Sequence, residues 1–372
     1  MKGSKAMRKI GVKEIEDIAV GAAVYGTGGG GDPYVGKLMA IDAIKTYGEV
    51  TLLDVDEVPG DAIVVPSSMM GAPTILIEKI PNGKEALSAF SLLKDYLGKE
   101  ISATIPIEAG GLNSMIPFAV AAALGIPVVD ADGMGRAFPE LQMVTFSLGG
   151  VKSTPMILCD EKGNATMFNT INNKWTETLA RAVTVVSGGS TMMASYAMTG
   201  TQVKETSIKG IISRTEKVGR AIRIAKNNNT NPVDAVLKAS GGFELFKGKV
   251  CDILRKTDGG FVRGENKMTG IDEYKGKSIK IEFQNENLMA QTDDGKVLAT
   301  VPDLIVVLDI ETGHAITTET LRYGNRGVVI CIPCDEKWRT EAGIRTVGPK
   351  YFGYDVEYVP IEQRIKSGMG EF

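Results

Sequence analysis

Two segments set carboxylates beside bare backbone, and a third offers backbone alone. Glu108-Ala109-Gly110-Gly111-Leu112-Asn113 joins an acid, two glycines and a side-chain amide, and Asp130-Ala131-Asp132-Gly133-Met134-Gly135-Arg136 joins two acids, two glycines and a guanidinium. Carboxylates so placed suit general acid–base work, because a like charge or a nearby cation moves one pKa away from another. In the third segment, Gly26-Thr27-Gly28-Gly29-Gly30-Gly31-Asp32-Pro33, four successive glycines bring no side chain to pack. Glycine is kept where the backbone takes a positive φ or approaches another group closely. Asp32 reads as a helix N-cap and Pro33 as the first helical residue. The amides of Gly28, Gly29, Gly30 and Gly31 then lie at the positive end of the following helix, where an anion or a carbonyl oxygen gaining charge would be stabilised. The run has neither the Gly-Lys-Ser/Thr ending of a phosphate loop nor the preceding strand of a dinucleotide fingerprint. A flexible connector with ordinary capping is the competing reading.

Asp130 and Asp132 alternate along an expected strand, so they point the same way and one can serve as base beside the other or beside Arg136. A strand-end turn in which both bond local amides is the alternative. Arg136 and Glu140 have i,i+4 spacing, although Pro139 argues against a regular helix there. Glu108 with Gly110, Gly111 and Asn113 suits an imide- or urea-like group, with a structural role for Glu108 equally open. Ser67 and Ser68 add hydroxyls in the turn-rich stretch Pro66 to Pro73. The single histidine, His314, excludes any site with two histidine ligands from one chain, and no nucleophile-elbow motif accompanies it. A carboxylate-held divalent metal drawing on Asp130, Asp132, Glu108 and His314 stays open, and no organic cofactor is expected. Cys331-Ile332-Pro333-Cys334 has redox spacing but follows an apolar strand instead of opening a helix.

The elements that must position these residues follow from periodicity. Apolar positions at Ile15, Ile18, Ala19 and Ala22, and at Leu38, Met39, Ile41 and Ile44, place an amphipathic helix on each side of the glycine run. Strands are expected at Val50 to Val55, Ala62 to Val65, Ala103 to Ile107 and Pro127 to Val129, with helices at Gly83 to Leu97 and Pro117 to Leu124. Alternating strands and helices imply an α/β sheet with parallel members, whose ligands sit beyond the carboxyl ends of the strands. A hairpin at 156–168 and helices at Trp175 to Val186 and Ile208 to Ala225 follow. The second helix has a basic face, read as solvated and paired with acidic neighbours. From Phe243 seven short strands with turn signals indicate a mostly antiparallel, barrel-like β part. The expected division is residues 1–172 as an α/β domain with a partly parallel sheet, and residues 173–372 as an α+β domain.

With 42 basic and 45 acidic residues the net charge is -3, which favours small-molecule or subunit partners over nucleic acid or anionic membrane. Lys13, Glu14, Glu16 and Asp17 interrupt what would be the apolar part of a secretion signal, and four cysteines make no disulfide framework. The longest apolar run, Met115 to Val129, is short of a membrane span, so a cytoplasmic protein is expected, with a homo-oligomer as default.

Tyr25 to Pro33, Gly71-Ala72-Pro73, Glu108 to Asn113, Val129 to Gln142, Pro302-Asp303-Leu304-Ile305 and Leu321-Arg322-Tyr323-Gly324 together resemble the S-methyl thiohydantoin desulfurase family. The likeness runs over nearly the whole chain. It implies association with hydantoinase and oxoprolinase enzymes and action on a sulfur-substituted five-membered imide ring. The resemblance implies no residue roles; joined to the residues above, it leads to the expectation that water adds to the ring carbon bearing sulfur, with Asp130 or Asp132 as base, Glu108 as proton donor or orienter, Arg136 as charge partner and the glycine loop holding the ring oxygen or a carboxylate substituent. Two other readings stay open: a non-catalytic hydantoin-binding or hydantoinase-associated subunit, and an ester hydrolase with a carboxylate-held metal.

Overall fold

The computed structural model describes residues 7–31, 33–71, 75, 79 and 82–368. Two sheets organise them. The first has nine strands, with β2 (Val50–Leu53), β5 (Val128–Val129), β4 (Ala103–Ile105) and β3 (Ile63–Gly71) adjacent and parallel at its centre. Helices α3 (Glu85–Leu97) and α4 (Ile116–Leu124) make the crossovers from β3 to β4 and from β4 to β5. These strands are short and apolar because both faces are covered: Val64, Val65, Ile105, Val128 and Val129 are fully buried.

Strand β3 runs farther than its sequence indicates. Ser67 to Gly71, expected as a turn-rich loop, pair with Ala194 to Ser190 of β9 (Ser190–Ala194), and β7 (Met156–Cys159) and β8 (Ala165–Phe168) extend that antiparallel side. The partner strand lies more than a hundred residues away, so no local signal marks the extension. The same pairing carries the first sheet past the expected boundary at 172/173, with β10 (Met198–Thr199) also joining β3. Ala72, Pro73 and the expected cap Asp32 lie outside the described residues.

The glycine loop is held between α1 (Val12–Tyr25) and α2 (Pro33–Tyr47). Helix α1 crosses α8 (Ile211–Asn227) at close range: a Cβ on Gly21 would stand 1.8 Å from the Thr215 carbonyl oxygen, and one on Gly219 1.8 Å from that of Asp17. On the basic face of α8, Arg223 Nε donates to Asp17 at 2.8 Å and Arg220 bonds Glu216. No helix among the described residues is long and apolar enough to cross a membrane.

The second sheet is a seven-stranded antiparallel half-barrel. Its long strands β12 (Phe243–Asp258) and β13 (Phe261–Gly270) are followed by β14 (Ser278–Gln284) and β15 (Glu286–Thr292), with β16 (Val297–Thr300), β17 (Leu304–Asp309) and β18 (Arg326–Ile332) completing it. Ile279, Ile281 and Phe283 alternate inward along β14, the pattern of a sheet with one face on a core. At the β14–β15 corner Asn285 takes a positive φ of 58°, and Val262 N donates to its side-chain oxygen at 2.8 Å. That corner is where the half-barrel meets the first domain.

Candidate active site

Two glycine loops interlock above the end of β4. A Cβ on Gly30 would lie 2.4 Å from Gly110 Cα, and one on Gly31 would lie 2.7 Å from Leu112 Cβ. Leu112 N donates to the Gly30 carbonyl at 2.9 Å. Gly28, Gly30 and Gly31 all have positive φ, so both uses of glycine, left-handed backbone and close approach, occur in one turn.

The half-barrel corner closes against this turn. Asn287 N donates to the Thr27 carbonyl at 2.8 Å, and Thr318 N donates to that of Gly28, also at 2.8 Å. Glu286 is thereby pressed on the loop: a Cβ on Gly29 would fall 2.0 Å from Glu286 Oε1. Glu286 is 2% exposed and its Oε2 has no hydrogen-bond partner among the described residues.

Glu108 lies in the same cleft, 5% exposed and held by two donors. Asn113 Nδ2 donates to Glu108 Oε1 at 2.7 Å, and Phe138 N donates to Oε2 at 3.3 Å. Asn113 is itself fixed, its Oδ1 accepting from Met69 N at 2.9 Å. Burial pushes the Glu108 carboxyl up to about 7, against the lowering effect of those two donors. Glu286 is raised well above the ordinary carboxylate range, first by burial and then by the charge of Glu108. The charge of Glu108 disfavours ionisation of Glu286, which drives the two acids apart.

Arg136 is fully buried behind the pair and faces neutral oxygens. It donates to the carbonyls of Ala137, Pro302, Asp303 and Asn287 and to Thr27 Oγ1 at 2.9 to 3.3 Å, and its guanidinium stands 4.5 Å from the Phe138 ring centroid. Burial lowers it to about 10, opposed by the charge of Glu286. Its side chain ties the glycine loop to β15 and to the turn before β17. It clamps the two domains while lending positive potential to the acids.

The cleft has about 60 Å³ of water-accessible volume. Gly30 and Gly31 form one part of its lining, Met69, Met70, Met134 and Met193 another. Arg181 and Glu140 are the other charged residues that line it. Arg181 Nε is paired with Glu177 at 2.7 Å, and its guanidinium rests 4.3 Å from the Phe261 ring centroid.

The expected site residues divide. Glu108, Asn113, Gly30 and Gly31 line the cleft, with Gly110 and Gly111 packed behind the loop and Arg136 behind the acids. Asp130 and Asp132 are not brought there, contrary to the expectation that they face the crevice. Asp130 is taken up by Ser213, whose backbone N and Oγ both donate to it, and both oxygens of Asp132 accept from Gly135 N at 2.9 Å. The strand-end-turn alternative describes them. Arg136 does not pair with Glu140, which instead bonds Lys174 and Tyr351, because residues 136–140 form no helix. Ser67 Oγ bonds Thr104 Oγ1 at 3.0 Å inside the sheet, and Ser68 is buried on β3. Gly28 and Gly29 meet Asn287 and Glu286 across the domain junction.

His314 lies beside a separate surface depression with Asp17 and Arg223, and Cys331 and Cys334 are buried free thiols pushed upward by burial. Among the described residues no group of three or more His, Cys, Asp or Glu side chains is arranged to hold a metal ion. Of Glu108, Asp130, Asp132 and His314, only Glu108 lines the cleft. Glu286 was missed from sequence. The available signal was the polar run Gln284-Asn285-Glu286-Asn287, which interrupts two apolar strands without the glycine of an ordinary hairpin turn.

Profiles of the S-Me-THD-like N-terminal domain and the S-Me-THD-like C-terminal domain match residues 13–170 and 171–361 respectively. No curated protein matches the chain. A crystal structure of a protein from Chromobacterium violaceum is similar in fold, with a TM-score of 0.81 at 24% identity, over 95% of this chain and 100% of that one.

Proposed function

The chain belongs to the S-Me-THD-like family, and from that premise we propose that it hydrolyses the C–S bond of an S-alkyl thiohydantoin-like ring, with Glu108 as base and Glu286 as acid. The observation that carries this is the pair of buried glutamates in one cleft, one held by two donors and one by none at Oε2. A water oxygen bonds to the ring carbon that bears sulfur while Glu108 takes a water proton and passes it to the ring nitrogen. The C–S bond then breaks with its electron pair on sulfur, which leaves as a thiol with the proton of Glu286. The remaining hydroxyl proton restores Glu286, and the ring carbon becomes the carbonyl of a hydantoin. Gly30 and Gly31, before the N-terminus of α2, are suited to hold a ring oxygen as it gains charge.

This chemistry draws on the protein's own acids and asks for no organic cofactor. Its hydantoin product is what a ring-opening hydantoinase consumes, so a hydantoinase or oxoprolinase is the partner we propose alongside the small-molecule substrate. The test is thiol release from S-methyl thiohydantoin by purified protein, with and without a chelator, for wild type, Glu286→Gln and Asp132→Asn. Release that needs Glu286, not Asp132, supports the assignment. Binding of the ring by wild type without any release would leave the non-catalytic accessory reading in its place.

A further inference from the structure

Resting on that reading, we propose that Met70, Met134 and Met193 form the pocket for the sulfur substituent and set selectivity for a small S-alkyl group. All three line the cleft that holds Glu108 and Glu286, and all are buried in one apolar cluster. They arrive from separate places: Met70 from the end of β3, Met134 from the turn after Asp132, and Met193 from β9. The β3–β9 register pairs Ser68 with Met193 and Met70 with Thr191. Met70 and Met193 therefore project from the same face of the ladder as diagonal neighbours.

The wall is held at a fixed spacing from the acid. Asn113 accepts from Met69 N with its oxygen and donates to Glu108 with its nitrogen, at 2.9 and 2.7 Å, so one side-chain amide joins the methionine strand to the base. A thioether is unbranched and polarizable, fits an irregular apolar contour and is only a weak acceptor. Three of them welcome an S-alkyl group and offer little to an amino or hydroxyl group in its place. All three methionines are buried, so a bulkier substituent has to displace packed side chains. An apolar wall also disfavours a thiolate, so sulfur departs as the neutral thiol, which requires the proton on Glu286. Once oxygen replaces sulfur, the same wall gives the product no hydrogen bond.

The experiment compares thiol release from S-methyl and S-benzyl thiohydantoins by wild type, Met70→Ala, Met193→Ala and Met193→Leu. Wild type should favour S-methyl over S-benzyl by about tenfold or more in kcat/KM, and each alanine variant should move that ratio toward S-benzyl by about tenfold. Met193→Leu keeps the volume and should keep the ratio. Thiol release that is indifferent to substituent size in wild type, or a ratio unmoved by both alanine variants, overturns the proposal while leaving the function standing. Should wild type release no thiol from any substrate, the function fails, and calorimetry then decides the pocket on its own. Tighter binding of S-methyl thiohydantoin than of hydantoin, with the difference lost in Met193→Gln, upholds it; equal binding of the two rings by wild type overturns it.

Discussion

Glu108 with Glu286 and Asp130 with Asp132 are two pairs of buried carboxylates, and they differ in what their oxygens already hold. Asp132 is fully buried and raised well above its ordinary range by burial, against the donor Gly135, yet both its oxygens accept from that one backbone amide. Asp130 is occupied by the start of α8 through Ser213. Glu286 has an oxygen with no hydrogen-bond partner among the described residues, and it shares its cleft with Glu108. A raised carboxyl is thus not itself a mark of chemistry. An acid that caps a turn stabilises the fold, and one with an open oxygen beside a cavity can exchange a proton with whatever enters.

The sharpest break between the pairs should come in turnover. Glu286→Gln is expected to slow thiol release about a thousandfold, within the range for removing one general acid. Asp132→Asn should leave it within about tenfold, and comparable losses in the two variants would erase the distinction drawn between the pairs. Next in size is Arg136→Leu, which strips donors from five oxygens at the domain junction. Chemical denaturation should show a loss of about 3 to 5 kcal/mol, whereas an unchanged midpoint would deny the clamp.

The third prediction follows from the sign of the Glu108 shift. Its pKa is raised on folding to about 7, so the stability it contributes is full below the unfolded carboxylate pKa and is lost as pH rises through about 7. Glu108→Gln should therefore gain on wild type across that window, by about 3 kcal/mol in unfolding free energy at most. In the same window thiol release by wild type should climb as Glu108 ionises, and a flat profile would remove Glu108 as base. The smallest effect belongs to the other pair. Ser213→Ala takes a hydroxyl donor from Asp130 and should cost about 1 kcal/mol of stability, with thiol release unaltered; a change in kcat would bring Asp130 back into the chemistry.

Much of the frame was legible in the chain because its signals are local. The helices flanking the glycine run, the β3–α3–β4–α4–β5 alternation, the 156–168 hairpin and the seven C-terminal strands each follow from periodicity and turn residues within a short window. The companion loop with Glu108 and Asn113 was legible too, since an acid among glycines at a strand end is a local pattern. What the chain could not disclose was pairing at long range. Ser67 to Gly71 become strand only because β9 arrives beside them, and Asp130 is removed from the crevice by a serine more than eighty residues later. Glu286 reaches the glycine loop because the half-barrel packs its β14–β15 corner there, bringing residues some 250 positions apart into contact. Sequence thus determined which segments carry acids and bare amides. Only tertiary packing decided which acids keep an open oxygen, because hydrogen-bond satisfaction depends on what the rest of the chain places next to them.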